Sequence, residues 1–403
     1  MLTRKRDLRT GVPVWLAHGN TKLHIAKRSA ISSCDVAVIG TGISGALVAD
    51  ALQNAGLKVV AVDRRTPASG STPASTALLL AELDTPVSQL QKRIGRTDAA
   101  RVWWRSAAAV QGLKERVQDL GIDCDLTMRP TIYLSGNTLD LGALKQETLA
   151  RQKIGLRAEF LDRAELRRLS GIERAGALFS RGNAEVDPVK LVGGIWRQFL
   201  RRGGRLVPNM QIDKVDQSQA RVRLESRDGR VVFARHAVFC TGYELIECVR
   251  PKGFKIISTW VLATKRQPRA LWPNKSLIWE AADPYLYLRT TADGRAIVGG
   301  EDEPFADEEK RDLATPQKIA AIMKKASRLL PAVDFNAAFQ WTGSFGESPN
   351  GIPAIGPIRG MPRCYAVLGF GGNGITFSML AAQLVSRAIQ GIKDPDRSLF
   401  QLD

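Results

Sequence analysis

Residues Asp35 to Gly45 read Asp-Val-Ala-Val-Ile-Gly-Thr-Gly-Ile-Ser-Gly, "DVAVIGTGISG". The apolar run Val36–Ile39 enters three glycines at GxGxxG spacing; a helical pattern then continues to about Asn54, and a second apolar run, Val59–Val62, ends at Asp63. Strand, glycine turn, helix and strand make a βαβ unit, whose two strands lie parallel. Gly40 permits the tight turn, Gly42 lets the backbone approach a pyrophosphate, and Gly45 lets helix and strand pack closely. Ile43 and Ser44 open the helix, whose N-terminus faces the phosphate charge. Asp63, followed by Arg64, is placed to accept hydrogen bonds from a ribose. This context reads as a dinucleotide site. NAD, NADP and FAD all use it, although Asp63 repels a 2′-phosphate and so argues against NADP.

The 403 residues are 44% hydrophobic, enough for two domains with a core each. No run reaches the roughly 18 to 20 apolar residues of a membrane span. The first 33 residues carry seven Lys or Arg (Arg4, Lys5, Arg6, Arg9, Lys22, Lys27, Arg28) without a secretory core behind them, and read as a basic extension ordered in part through Trp15 and Leu16. Five widely spaced cysteines (Cys34, Cys124, Cys240, Cys248, Cys364), with three histidines and no CxxC pair, suggest neither a disulfide framework nor a metal site. The expected compartment is the cytoplasm. With 58 basic and 40 acidic residues the net charge is +18, which favours anionic partners, although no basic block interleaved with aromatics marks a nucleic-acid surface.

Farther along, Pro130–Ser135, Lys255–Lys265, Tyr285–Thr291 and Arg295–Gly300 read as partly alternating strands with turns such as Ala292-Asp-Gly294 between them, hence an antiparallel sheet. The strand, glycine loop and helix pattern returns at Tyr365–Ile389. The nucleotide domain is therefore expected from separated segments, 34–90, 186–248 and 338–395, and a substrate domain from 91–185 and 249–337.

Three further stretches carry a resemblance: "VFCTG" ending in Thr241-Gly242, "WTGSFGESPNGIPAIG" with Gly343, and "GFGGNGITFSMLAAQLV" from Gly369. With "VIGTGISGALVADAL…VVAVDR", and in the same order, they resemble the D-amino-acid oxidase family of FAD-dependent oxidoreductases, which includes glycine oxidase and sarcosine oxidase. The resemblance implies an α/β fold, with a Rossmann-like FAD-binding domain of separated segments and an α+β substrate domain whose mainly antiparallel sheet covers the flavin. It also implies FAD; some relatives attach the flavin covalently through a cysteine or histidine, but none here matches such a position, so noncovalent FAD is expected. Gly371, Gly372, Asn373 and Gly374 would let backbone approach the flavin ring, and the helix near Ile375 and Thr376 would turn its positive end toward the edge where charge develops on reduction. Ser71, Thr72, Ser75 and Thr76 supply hydroxyls where the family's chain wraps the pyrophosphate.

Relatives that oxidise amino acids commonly place a carboxylate-clamping arginine in the segment that here reads Trp341-Thr-Gly-Ser-Phe-Gly-Glu-Ser348, which has none. The replacement expected here is Arg289, sharing a strand face with Tyr285 and Tyr287 at period two. Glu82 and Glu347 are candidate proton acceptors, while His18, His24 and His236 are read as structural. The expected reaction is oxidation of a C–N bond in a small, anionic amine or amino acid, hydride passing to flavin N5 and the imine then hydrolysed, with oxygen or a quinone-type carrier as oxidant. The alternatives are a 2-hydroxy acid dehydrogenase, a flavoenzyme acting on a modified tRNA nucleoside, and a flavin-binding partner subunit without turnover of its own.

Overall fold

The computed structural model describes residues 3, 5–17, 23, 25, 33–218, 220–246, 249, 253–368 and 370–402; His18, His24, Cys248 and Gly369 lie outside these residues. The quoted stretch forms the strand Ser33–Ile39, the turn and the helix Ile43–Asn54, and the next strand is Val59–Val62. These two strands pair in parallel, Val36 against Val59 and Ile39 against Val62. Val231–Phe239 pairs in parallel with the first of them, and Met361–Leu368 continues the sheet beyond it. Arg205–Val207 closes the other edge.

The unbroken apolar runs Val36–Ile39 and Val59–Val62 are explained by cover on both faces. Val36 and Val38 pack with the helices Ile43–Asn54, Pro188–Arg201 and Gly374–Ile389. Ala37, Ile39, Val60 and Val62 turn the other way, against an antiparallel ribbon that brings Ile212, Val222, Leu224 and Val232.

The second sheet runs Arg9–Gly11, Ala337–Glu347, Lys255–Thr264, Ala296–Glu303, Leu286–Thr290, Leu277–Glu280, Thr127–Leu134, Gly176–Glu185 and Leu78–Leu79, with Ala158–Asp162 branching from Gly176–Glu185. Every pairing is antiparallel except that of Leu277–Glu280 with Thr127–Leu134. The helix Thr315–Leu329 covers one face through Ile319, Ile322 and Ala326.

One segment lies elsewhere than expected. Residues 338–347, assigned to the nucleotide domain, are a long strand of the large sheet. Of the basic extension, Arg9–Gly11 is the edge strand of that sheet, and Val14 and Trp15 are buried against Val261, Ile297 and Trp341, in line with the order expected through Trp15. Their apolar side chains bury more than the flanking charges suggest.

Candidate active site: a dinucleotide cleft leading to a tyrosine wall

The glycine turn closes one end of a cleft whose first cavity, of about 760 Å³, is lined by Gly40, Gly42, Ile43, Ser44, Asp63, Arg64, Ser71, Thr72, Thr241 and Gly242. Gly40 adopts φ +106°, and a Cβ there would stand 2.2 Å from the Cys240 carbonyl oxygen. A Cβ on Gly45 would stand 1.8 Å from the Gly40 oxygen, so Gly45 serves the packing of helix on strand rather than the cavity. Oδ2 of Asp63 accepts from the Thr41 N–H (2.6 Å) and hydroxyl (2.9 Å), and Oδ1 accepts from the Arg65 N–H (2.8 Å). Desolvation pushes its carboxyl up, and those donors oppose the shift. The guanidinium of Arg64 donates to the Thr3 hydroxyl and lies 3.9 Å from Glu244, and its Nη1 is buried without a hydrogen-bond partner. Arg65 grips Glu244 through both terminal nitrogens, at 2.8 and 2.7 Å.

Ile43, Ser71 and Thr72 are shared with a second cavity of about 980 Å³, to which Ser75, Thr76, Gly343, Gly371, Gly372, Asn373, Gly374 and Ile375 contribute. Its opposite wall holds Tyr285 and Tyr287. The Tyr285 hydroxyl donates to Asp302 Oδ2 at 2.7 Å, and Tyr287 shares a 3.1 Å hydrogen bond with Thr259. Thr376 stays out of the cavity: it is buried, and its hydroxyl donates to the Leu80 carbonyl at 3.0 Å.

Arg289 is corrected from substrate clamp to brace. It is 2% exposed and does not line the cavity beneath the tyrosines. Its Nε donates to the Thr290 carbonyl, and one terminal nitrogen donates to those of Thr76, Ala77 and Val186 at 2.8 to 3.1 Å. Glu185 lies 3.5 Å away, and Trp15 covers the guanidinium with its ring. Period two gave the correct face, but the arginine ends under the Ser75–Ala77 strap and holds it from behind. Glu82 is likewise structural, ion-paired with buried Arg151 at 2.9 Å. Glu347 does face a cavity, the one that adjoins the tyrosines.

The cavity that Glu347 faces lies beside the tyrosine wall. It shares Asp84, Trp279, Tyr285 and Phe345 with the tyrosine cavity, and its charged lining residues are all carboxylates. Asp84, Thr259, Trp279 and Asp302 were not singled out in the sequence. The readable signal was Gly299-Gly300 inside a strand, because glycine within a strand marks a close approach; a Cβ on Gly299 would meet the Tyr287 ring at 2.4 Å.

The residues 35–388 match the model of the family described as FAD dependent oxidoreductase (DAO). The chain belongs to this family. It is 24% identical to gamma-glutamylputrescine oxidoreductase of Escherichia coli K12 over 370 residues, 89% of this chain and 84% of the relative. It is 20% identical to glycine oxidase of Geobacillus kaustophilus over 378 residues, 88% and 93% of the two chains. The crystal structure of the latter superposes with a TM-score of 0.76 at 18% identity, covering 92% of this chain and 98% of that one.

FAD is therefore the cofactor, and the cleft fits it on two counts. The Thr241 hydroxyl and Asn373 Oδ1 are buried without a hydrogen-bond partner, one in each cavity. The helix Gly374–Ile389 has no capping side chain and no acidic residue in its first turn, leaving the positive end of its dipole toward the cavity.

Proposed function

We propose that this DAO-family oxidoreductase oxidises the C–N bond of a small amine. The observation that carries the reading is one cavity in which the glycine loop and helix start at Gly371–Ile375 face the tyrosine wall, so that a substrate of modest size fits between them. FAD, when bound, supplies the acceptor for the two electrons and the hydrogen of a C–H bond next to nitrogen. The protein's own part is position and field. Tyr285 and Tyr287, each held by a hydrogen bond, form a fixed wall 5.7 Å between ring centres. The uncapped helix end offers positive potential to charge developing opposite that wall. Loss of hydride from carbon and a proton from nitrogen leaves an imine, which water converts to a carbonyl compound and a free amine.

The test is anaerobic mixing of the FAD-loaded protein with amines, amino acids and 2-hydroxy acids while the visible flavin band is followed. An amine or amino acid should bleach it. Bleaching by hydroxy acids alone would overturn the reading.

A further inference from the structure

Independently of the substrate, we infer that the N-terminal segment, Thr3 with Lys5–Trp15, is a clasp over the adenosine half of FAD, with Thr3 and Leu8 as cofactor-holding residues. FAD then leaves only when this segment lifts.

Thr3 and Leu8 line the cavity of the glycine turn, where the turn and Asp63 would hold pyrophosphate and adenosine, and they are 2% and 6% exposed. Among the described residues, Leu8 packs in none of the hydrophobic cores. The surface it covers is that of the cleft: a Cβ on Gly70, which lines the same cavity, would stand 3.9 Å from Leu8 Cδ1. An apolar side chain so placed suits the flat face of a purine. Thr3 acts through Arg64. Its hydroxyl accepts from Nη2, while Nη1 of the same guanidinium is buried beside the cavity without a partner among the described residues. A buried charged donor costs stability until an acceptor meets it, and the ribose and phosphate oxygens of FAD are acceptors.

The clasp is fastened on both sides of the cleft. On the nucleotide side Thr3 bridges to Ile246, the Arg6 N–H donates to Glu244 Oε1 (2.7 Å), and Arg65 donates to the Arg6 carbonyl (3.0 Å). On the side of the large sheet the Leu8 carbonyl accepts from the Ser344 N–H (3.1 Å), the Asp7 carbonyl accepts from Arg311 (2.8 Å), and Arg9–Gly11 pairs with residues 341–343. These bonds hold Leu8 over the cavity from two directions. A segment this short lifts by local opening, at a lower cost than global unfolding, so it can admit and release a cofactor that the closed form retains.

Two measurements on the FAD-loaded protein test this. In the first, the holoprotein is mixed with excess isotope-labelled FAD in alkaline deuterated buffer, where open amides exchange fast, and cofactor and amide exchange are read by mass in the same samples. The Arg6, Thr10 and Val12 amides, each hydrogen-bonded across the clasp, should exchange at least as fast as FAD. FAD that exchanges completely while these amides stay protected would overturn the inference. In the second, FAD release on dilution is followed by its fluorescence. Leu8→Ala should release FAD at least about ten-fold faster, the scale of removing two buried methylene-sized groups. Leu8→Met, which restores the volume, should return the rate close to that of the parent. Release from Leu8→Ala no faster than from the parent overturns the inference as well. The first measurement uses the unaltered chain and decides alone if Leu8→Ala fails to fold.

Discussion

Asp302 shows how one residue's surroundings set its chemistry. Burial pushes its carboxyl up to about 6, with the Tyr285 and Thr259 hydroxyls pulling the other way. An unfolded aspartate titrates near 4. Between these values the folded protein binds more protons than the unfolded chain, so stability falls as pH rises from about 4 to about 6 and the penalty persists above. Without ligand, Asp302→Asn should therefore be more stable than the parent at pH 7 by about 1 to 2 kcal/mol, after allowance for solvent screening. The difference should vanish below about pH 4. Thermal denaturation across that range checks it, and a variant less stable at pH 7 would mean that the carboxylate is held by a cation of the protein. Arg289 illustrates the opposite outcome: an ion wholly buried behind the site, its charge met by main-chain carbonyls and Glu185 rather than by a ligand.

Among elements, the helix Gly374–Ile389 is the one whose end is proposed to bear on the reaction. Its start lines the tyrosine cavity, and a Cβ on Gly374 has no neighbour closer than the Tyr243 hydroxyl at 3.6 Å. A side chain therefore fits there without unfolding the turn. Gly374→Asp puts negative charge where the helix presents positive potential, so the flavin should become harder to reduce. The expected fall is about 30 mV or more, equivalent to about 1.4 kcal/mol for two electrons, unless FAD is lost outright. Equilibration with a reference dye measures it; an unchanged potential with full FAD content would place the helix end away from the flavin. The strap that faces this helix is held by two tryptophans, Trp15 donating to the Ser75 carbonyl and Trp341 to that of Ala74, both at 2.9 Å. Trp15 of the basic extension thus belongs to the strap's scaffold.

At the scale of the whole molecule, the outer charge and the inner charge have opposite signs. The net +18 acts at long range, while the cavity carboxylates act at a few ångströms. Raising salt from about 0.01 to 0.15 M shortens the Debye length from about 30 to about 8 Å, which screens the first far more than the second. For a cationic amine substrate kcat/KM should therefore rise over that range, by about two-fold or more, as repulsion by the outer field is removed. Steady-state rates at fixed pH check this, and a fall with salt would mean that the cavity charges dominate at a distance.

The βαβ unit, the return of strand and helix near the C-terminus and the middle strands were legible because each is written in local periodicity. Lys255–Lys265 was read where Lys255–Thr264 stands, and the helix to about Asn54 ends there. The glycines of the dinucleotide turn were legible for the same reason, since a backbone that must pass within contact of another admits no side chain. Which charged residues meet in space was not legible. Tyr285, Tyr287 and Arg289 share a face by periodicity, yet only the two tyrosines reach the cavity, because the sheet and the strap from Ser75 to Ala77 enclose the arginine. Likewise Asp84, Asp283, Asp302 and Glu347 lie far apart along the chain and carry no common spacing. Chain-local steric and hydrophobic rules determined the fold from the sequence alone; the sign of charge around the cavity beside the tyrosine wall was decided by tertiary structure, because electrostatic energy depends on distance through space and on burial.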